Sequence, residues 1–253
     1  MKSSIPIEEQ IAANLDLRGY KELTPIQNAI MKKETIGRDA LVSAQTGSGK
    51  TVAFGLSIVS NIPNEHQNNK VSRLPSVLII APTRELALQV QNELEWLYSN
   101  TNVFIVSCVG GMDMRTEKRN LKKYPDIILG TPGRLKDYLE RKVINLSKVK
   151  VVVLDEADEM LNLGFREELE YILSQTPKER RTLLFSATIS KGIEKLASKY
   201  QNNALRISTI ENNKQHLDIE YQAIKASSRN IEYAIMNILR YHETKKSLVF
   251  CGT

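Results

Sequence analysis

Short apolar runs rich in β-branched residues alternate with amphipathic stretches through about the first two hundred residues of this chain. Glu85–Tyr98 is one such stretch, and its apolar residues recur at helical spacing, at Leu86, Val90, Leu94 and Leu97. This alternation predicts an α/β fold, a mostly parallel sheet with helices on both faces, which binds ligands at the carboxyl ends of its strands. The predicted strands are Ala40–Ala44, Val77–Ala81, Val103–Val109, Ile127–Leu129, Val149–Leu154, Thr182–Phe185 and Leu205–Ile207.

A polar stretch, Thr209–Gln215, separates this pattern from a shorter one and is interpreted as an interdomain linker. Beyond it the pattern predicts one β-α-β unit, in which strands Ile219–Ile224 and Ser247–Cys251 flank the helix Arg229–His242. Because so short a unit cannot bury a core comparable to the first, we expect a truncated second domain. The predicted organisation is residues 1–208 for the first domain, 209–216 for the linker and 217–253 for the start of the second domain.

Composition restricts the class of protein. The net charge of +6 permits a nucleic-acid partner without requiring one. No run approaches the roughly 18 apolar residues of a membrane span, and the N-terminal residues lack the apolar core of a secretory signal. Cys108 and Cys251 lie in apolar runs, so we expect reduced, buried thiols and a cytoplasmic protein. The histidines form no zinc-ligand spacing with these cysteines.

The segment Ala44–Thr51 fits the phosphate-loop pattern G-x-x-x-x-G-K-[ST], with Ala44 in place of the usual first glycine. Glycines let the backbone turn so that successive amides, and the N-terminus of the following helix, point at phosphate oxygens. We expect Lys50 to neutralise the β- and γ-phosphates and the Thr51 hydroxyl to bind Mg²⁺. A Gly-rich turn that merely precedes a helix is the alternative. The expected nucleotide contacts are Gln45, Thr46, Gly47, Ser48, Gly49, Lys50 and Thr51.

Two carboxylates, Asp155 and Glu156, directly follow the apolar strand Val149–Leu154. We expect Asp155 to hold Mg²⁺ through water and Glu156 to act as the general base on the attacking water. The helix dipole also favours acidic residues at a helix start, but this alternative explains Glu159 better than it explains two carboxylates at a strand end. Together the two motifs predict a chain that binds and hydrolyses a nucleoside triphosphate, with Lys50, Asp155 and Glu156 as catalytic residues.

The residues Asp-Glu-Ala-Asp at positions 155–158, read after this phosphate loop, resemble the DEAD-box family of ATP-dependent RNA helicases. The resemblance covers nearly the whole chain. It implies a RecA-like P-loop NTPase domain that binds ATP and Mg²⁺, followed by the start of a second RecA-like domain. Residues 19–20 and 24–27 are similar to the family's Q motif, which implies adenine binding by Tyr20, Thr24 and Gln27. An amide such as that of Gln27 donates and accepts hydrogen bonds at once, which suits adenine.

Three further segments, each after a predicted strand, are similar to family segments that contact the RNA backbone. Their residues are Pro82, Thr83 and Arg84, then Gly110 and Gly111, then Thr131, Pro132, Gly133 and Arg134. Amides, hydroxyls and guanidinium groups bind phosphate and sugar, so the implied RNA recognition is independent of base sequence. Taken singly, each segment is also an ordinary turn or helix cap. The resemblance further implies that Asp158, Ser186 and Thr188 form a hydrogen-bonded bridge that couples the nucleotide and RNA sites.

The resemblance implies an RNA-dependent ATPase that locally unwinds short duplexes. The family's second domain supplies arginines that reach the γ-phosphate, and an arginine of this kind is worth about 10³ to 10⁵ in turnover. We therefore expect these residues alone to bind ATP but hydrolyse it slowly. The aromatic residue that the family carries upstream of the glutamine is also missing, around Lys2.

Two alternative functions stay open at this point. The first is an ATP- and RNA-binding half without catalytic competence, and the second is a P-loop ATPase that acts on DNA or protein. For the preferred function we expect a monomer that binds RNA. Its protein partners would belong to ribonucleoprotein complexes, ribosome assembly or RNA decay, and the sequence does not choose among these.

Overall fold

The structure is a computed structural model that describes residues 7–63, 74–209, 220, 222–243 and 246–250. The chain divides into two compact units, Met1–Glu211 and Asn212–Thr253, and each unit is described by itself. Of the predicted linker, residues 209–216, only Thr209 lies among the described residues. The domain boundaries therefore stay a prediction.

The first unit contains one sheet of seven parallel strands. The strands are β1 (Ala40–Ser43), β2 (Val77–Ile80), β3 (Ile105–Cys108), β4 (Ile127–Gly130), β5 (Val151–Leu154), β6 (Arg181–Ser186) and β7 (Leu205–Ser208). Their order across the sheet is β3-β4-β2-β5-β6-β1-β7. All seven predicted strands are present, and the parallel sheet confirms the predicted α/β fold class.

Ten helices are described. They are α1 (Ile7–Leu17), α2 (Pro25–Ile30), α3 (Lys50–Ile58), α4 (Arg84–Leu97), α5 (Met114–Leu121), α6 (Pro132–Glu140), α7 (Ala157–Asn162), α8 (Arg166–Ser174), α9 (Lys191–Tyr200) and α10 (Ile231–Tyr241). Several begin at a residue whose side chain accepts a hydrogen bond from a free backbone amide, as Thr83 does for α4, Asp113 for α5 and Ser190 for α9. No helix in the described part of the chain is long and apolar enough to cross a membrane.

The core lies on both faces of the sheet because successive side chains of a strand point in opposite directions. In β5, Val151 and Val153 pack on one face with residues of α3 and α4. Val152 and Leu154 pack on the other face with residues of α6 and α8. All four side chains of this strand are buried, as expected for a parallel strand that helices cover on both sides.

In the second unit, the predicted helix Arg229–His242 is confirmed as α10, preceded by a 3₁₀ turn at Ser228–Asn230. The predicted strands Ile219–Ile224 and Ser247–Cys251 are wrong for their described residues, 220, 222–224 and 247–250, which form no strand. A parallel strand needs a hydrogen-bonded neighbour in addition to an apolar sequence, and no such pairing forms among these residues. Ile219, Tyr221 and Cys251 lie outside the described residues.

Candidate functional site

The predicted phosphate loop lies at the carboxyl end of β1 and runs into α3, which begins at Lys50. Gly47 and Gly49 have φ angles of 81° and 87°, a left-handed conformation that residues other than glycine rarely adopt. The amide of Ala44 donates to the carbonyl of Ser186 at 3.1 Å and so continues the pairing of β1 with β6. Ala44, which stands in place of the usual first glycine, is therefore a buried residue that continues the sheet before the loop turns.

The structure brings this loop to the acidic residues that follow β5. Lys50 is buried, and its Nζ lies 3.5 Å from Glu156 Oε1, although the two residues are 106 positions apart. The hydroxyl of Thr46 donates to the same carboxylate oxygen at 3.3 Å. Only β6 lies between β5 and β1 in the sheet, so their carboxyl ends meet at one edge. Two motifs predicted separately thus form one site.

Glu156 holds an unusual backbone conformation, with φ 49° and ψ 52°, at the start of α7. Few residues with a Cβ adopt this left-handed conformation, although Asn100 and Lys142 are among five other non-glycine residues with positive φ in the described part of the chain. The side chain of Glu156 makes no capping bond to α7. The Glu156 carboxylate therefore faces the phosphate loop and does not cap α7.

Asp155 is buried, and its Oδ1 has no hydrogen-bond partner in the described structure. Burial raises the pKa of this carboxyl to about 6, although Lys50 acts in the opposite direction. A buried carboxylate oxygen without a donor, together with the hydroxyl of Thr51 on the first turn of α3, offers the oxygen ligands that Mg²⁺ prefers. These residues fit a bound Mg²⁺, which would satisfy the free oxygen.

The predicted adenine residues form a bridge to the phosphate loop. Gln27 is fully buried, accepts a hydrogen bond from the Thr24 amide at 2.9 Å and donates to the Gly49 carbonyl at 3.2 Å. The Thr24 hydroxyl donates to the Ser48 carbonyl at 3.0 Å. One N–H and one lone pair of the Gln27 amide have no partner among the described contacts, although the side chain has no exposed surface. Tyr20 instead stacks on Trp96 with ring centres 5.8 Å apart, and no described bond joins it to the loop.

The three predicted coupling residues also lie together. The amide and hydroxyl of Thr188 donate to Asp158 Oδ2 at 2.9 and 2.8 Å, and the Ser186 hydroxyl donates to the Thr188 carbonyl at 2.7 Å. Partial burial would raise the pKa of Asp158, but hydrogen bonds, chiefly those from Thr188, outweigh it and lower the pKa. These bonds connect the start of α7 to the segment that follows β6.

The three predicted RNA-contacting segments follow β2, β3 and β4, which are neighbours in the sheet. The segments therefore lie side by side at the carboxyl edge. Arg84 is exposed, and its Nη1 donates to the Gly111 carbonyl at 3.2 Å. The Thr83 hydroxyl is taken up as the cap of α4, whereas Thr131 makes no capping bond. Arg84 and the Thr131 hydroxyl are thus presented to solvent ligands more freely than Thr83.

Arg134 is turned inward, unlike Arg84. Its side chain is only 11% exposed, and its Nη1 lies 2.6 Å from Glu117 Oε2 and 3.1 Å from the Tyr138 hydroxyl. Glu117 and Tyr138 are both buried, and the sequence reasoning missed both of them. The sequence contained one indication that Glu117 is unusual. It is the only acidic residue within α5, whose other charged residues are Arg115, Lys118 and Arg119.

Comparison with known proteins identifies similar chains. A family model described as “DEAD/DEAH box helicase” matches residues 24–196. “ATP-dependent RNA helicase CshA” of Limosilactobacillus reuteri is 41% identical over 201 residues, 79% of this chain and 39% of that protein. “DEAD-box ATP-dependent RNA helicase 9” of Oryza sativa subsp. japonica is 40% identical over 99% of this chain and 40% of its own length.

A solved structure shares the fold. The crystal structure of a DEAD box protein from the hyperthermophile Methanococcus jannaschii matches with a TM-score of 0.72 and 32% identity, over 94% of this chain and 62% of that chain. The chain spans about two fifths of the length of the two relatives named above. The matched family region, residues 24–196, includes the phosphate loop, both strand-end carboxylates and the three segments after β2, β3 and β4.

Proposed function

The chain belongs to the DEAD/DEAH box helicase family, and we therefore propose that it is the ATP-binding part of an ATP-dependent RNA helicase. One observation carries the proposal, the meeting of the phosphate loop with the strand-end acids. Lys50 lies 3.5 Å from Glu156, and the adjoining Asp155 keeps a buried oxygen without a partner in the described structure. The relatives support the proposal because both named above are called RNA helicases.

In the proposed reaction, Lys50 and the amides of the phosphate loop bind the β- and γ-phosphates of ATP, and Asp155 and Thr51 are the residues that would hold Mg²⁺. Bound Mg²⁺ supplies positive charge beside the phosphate oxygens. Once Lys50 pairs with phosphate, Glu156 is free to accept the proton of the attacking water. The water oxygen bonds to the γ-phosphorus as the bond to the β-phosphate oxygen breaks, which yields ADP and phosphate.

We propose that RNA binds at the carboxyl ends of β3, β4 and β2. The segments after these strands offer backbone amides, the Thr131 hydroxyl and the exposed guanidinium of Arg84. These groups suit phosphate and sugar oxygens and do not read base edges, so the proposed binding tolerates any base sequence. Asp158, Ser186 and Thr188, already hydrogen-bonded to one another, would couple this binding to the nucleotide site.

We further propose that these residues alone turn ATP over slowly and respond little to RNA. The family's second domain supplies arginines to the γ-phosphate, and a residue of this kind is worth about 10³ to 10⁵ in turnover. The residues proposed to bind phosphate and to polarise water lie in the first unit, so we expect ATP binding not to require the arginines of a second domain.

The test is ATP turnover by this chain with and without single-stranded RNA, beside a longer version that carries a complete second domain. We expect both to bind ATP and only the longer version to be stimulated by RNA. Stimulation of the longer version by single-stranded DNA but not by RNA would overturn the RNA assignment. Turnover by the short chain equal to that of the longer version would overturn the slow-turnover proposal alone.

A further inference from the structure

Glu117 is a buried carboxylate that the proposed ATP chemistry does not use. It lies on α5 with 5% of its surface exposed. Its Oε1 accepts a hydrogen bond from the Val109 amide at 3.0 Å, and its Oε2 accepts from Arg134 Nη1 at 2.6 Å and from the Tyr138 hydroxyl at 2.5 Å. A buried carboxylate with a guanidinium partner and two further donors is fully satisfied, and loss of the guanidinium would leave its charge uncompensated.

We propose that Glu117 is a positioning residue for RNA binding, and that Arg134 serves it as a structural partner and does not bind phosphate. Glu117 would hold the segment after β3 and the segment after β4 at a fixed separation on the RNA-binding edge. This inference rests on the proposed function, because it assigns a role within the proposed RNA surface.

The segment after β3 needs such an anchor. Among the described strands β3 lies at the edge, with β4 as its one neighbour, so this sheet holds the chain that follows from one side. Glu117 fixes the Val109 amide, immediately before Gly110. Arg134 Nη2 reaches the Met112 carbonyl at 3.5 Å, and Arg84 reaches the Gly111 carbonyl. Side chains from three elements therefore fix a stretch that contains two glycines and forms no strand or helix.

Arg134 has little surface left for a phosphate. Its Nη1 faces Glu117 and Tyr138, and its guanidinium lies 5.4 Å from the centre of the Tyr138 ring. The ion pair and the hydrogen bond from Tyr138 strengthen one another in a site that excludes water. Arg84, by contrast, is exposed and bonded only to a backbone carbonyl among the described contacts, so it can also reach a phosphate oxygen.

The two roles for Arg134 predict opposite effects of removing Glu117. If Arg134 positions the backbone together with Glu117, Glu117→Ala disorders the segment after β3 and weakens RNA binding by about tenfold. If Arg134 is a phosphate ligand that Glu117 restrains, the same change frees a cation and removes a negative charge, so RNA binding becomes tighter. Glu117→Gln keeps an acceptor for the Val109 amide and is expected to retain part of the affinity.

The experiment measures binding of a 12-nucleotide poly-U RNA by anisotropy over a salt series. The matched control is Glu140→Ala, which makes the same change of charge at an exposed residue of α6. For Arg134→Gln we expect weaker binding with an unchanged slope of log K against log salt. For Arg84→Gln we expect the slope to fall by about 0.7, the value for one phosphate contact with a single strand.

The outcomes separate the inference from the proposed function. The positioning role is overturned if Glu117→Ala binds RNA as tightly as Glu140→Ala or more tightly. It is also overturned if Arg134→Gln reduces the slope of log K against log salt. Either result leaves the proposed function standing. No RNA binding by the unsubstituted chain overturns the proposed RNA function itself. Binding of an ATP analogue and the thermal unfolding midpoint are measured on each variant. If Glu117→Ala does not fold, Glu117→Gln is tested in its place. An RNA affinity of Glu117→Gln below that of Glu140→Ala then supports the positioning role.

Discussion

At the residue scale, Glu156 connects the two nucleotide motifs because its carboxylate receives both the Lys50 ammonium and the Thr46 hydroxyl. The strained backbone at this residue places the carboxylate beside the loop that would hold the γ-phosphate. A group in that place has two functions in the proposed cycle. It neutralises Lys50 before ATP arrives, and it accepts a proton from water after Lys50 has paired with phosphate.

For Glu156→Gln we expect ATP binding to be kept and turnover to fall by about 10² to 10⁴, because an amide keeps the shape of the side chain but cannot act as a base. Loss of the negative charge also frees Lys50 for phosphate, so affinity should not fall. Turnover is measured in a version with the complete second domain, and affinity by titration with an ATP analogue. Glu159→Gln, an exposed neighbour on α7, is the control. Retained turnover would remove Glu156 from the role of base.

The sequence predicts which residue types surround ATP but not which of them touch. Spacing within Ala44–Thr51 and the carboxylates after β5 are local patterns, and local patterns identify a motif. The contact of Thr46 with Glu156 joins residues 110 positions apart, and the burial of Gln27 against Gly49 also depends on the folded chain. For the same reason Arg134, grouped with Arg84 by the resemblance, could not be recognised as inward-facing.

At the element scale, the seven strands are predictable because parallel strands buried on both faces form continuous apolar runs. The residues at which the strands end are harder to predict. Ala44, Ala81 and Val109 were predicted as strand residues and are fully buried, yet they lie just beyond β1, β2 and β3. An apolar sequence reports burial, whereas a strand end is set by hydrogen bonding, and the two differ by a residue or two here. The strand order involves pairings between distant segments that no local pattern contains.

Arg181, the first residue of β6, anchors the amino end of the sheet. It is buried, and its guanidinium donates to the carbonyls of Arg38 at 2.7 Å, Ser57 at 2.8 Å and Thr35 at 3.0 Å. Burial lowers the pKa of Arg181, and the nearby Asp39 acts in the opposite direction. The fork of donors on a guanidinium reaches three separate carbonyls at once, which a compact ammonium does not.

For Arg181→Lys we therefore expect the free energy of unfolding to fall by about 2 to 3 kcal/mol, since buried carbonyls lose donors that carry a charge. Denaturant unfolding measures the change. Arg206→Lys is the matched control, because Arg206 on β7 is 68% exposed and its ion pair with Glu194 is worth at most about 1 kcal/mol. Equal losses in the two variants would show that the carbonyl contacts of Arg181 add nothing to stability.

At the scale of the whole molecule, the strand order divides the carboxyl edge of the sheet into two halves. The segments after β5 and β1 carry residues proposed to bind ATP, the segment after β6 carries the coupling residue Thr188, and the segments after β3, β4 and β2 carry those proposed to bind RNA. The halves meet where β2 lies next to β5. Each motif was predicted at a strand end, but their division into adjacent halves follows only from the topology.

All residues of the proposed nucleotide site, and both clusters of buried apolar side chains, lie within the first unit, Met1–Glu211. In the second unit, α10 buries none of its residues, and Tyr233 is 73% exposed. We therefore expect a chain that ends at Glu211 to unfold in one cooperative transition, and to bind an ATP analogue within about twofold of the full chain.

Thermal unfolding followed by circular dichroism and by tryptophan fluorescence, with an analogue titration, measures both properties of that shortened chain. A chain that ends at Ser174 is the control, since it lacks β6 and β7, the two strands that pair with β1. Without these two strands β1, which carries the phosphate loop, has lost both neighbours, so this control should neither unfold cooperatively nor bind the analogue. If the chain that ends at Glu211 also loses the analogue, residues 212–253 contribute to ATP binding, and the nucleotide site does not belong to the first unit alone.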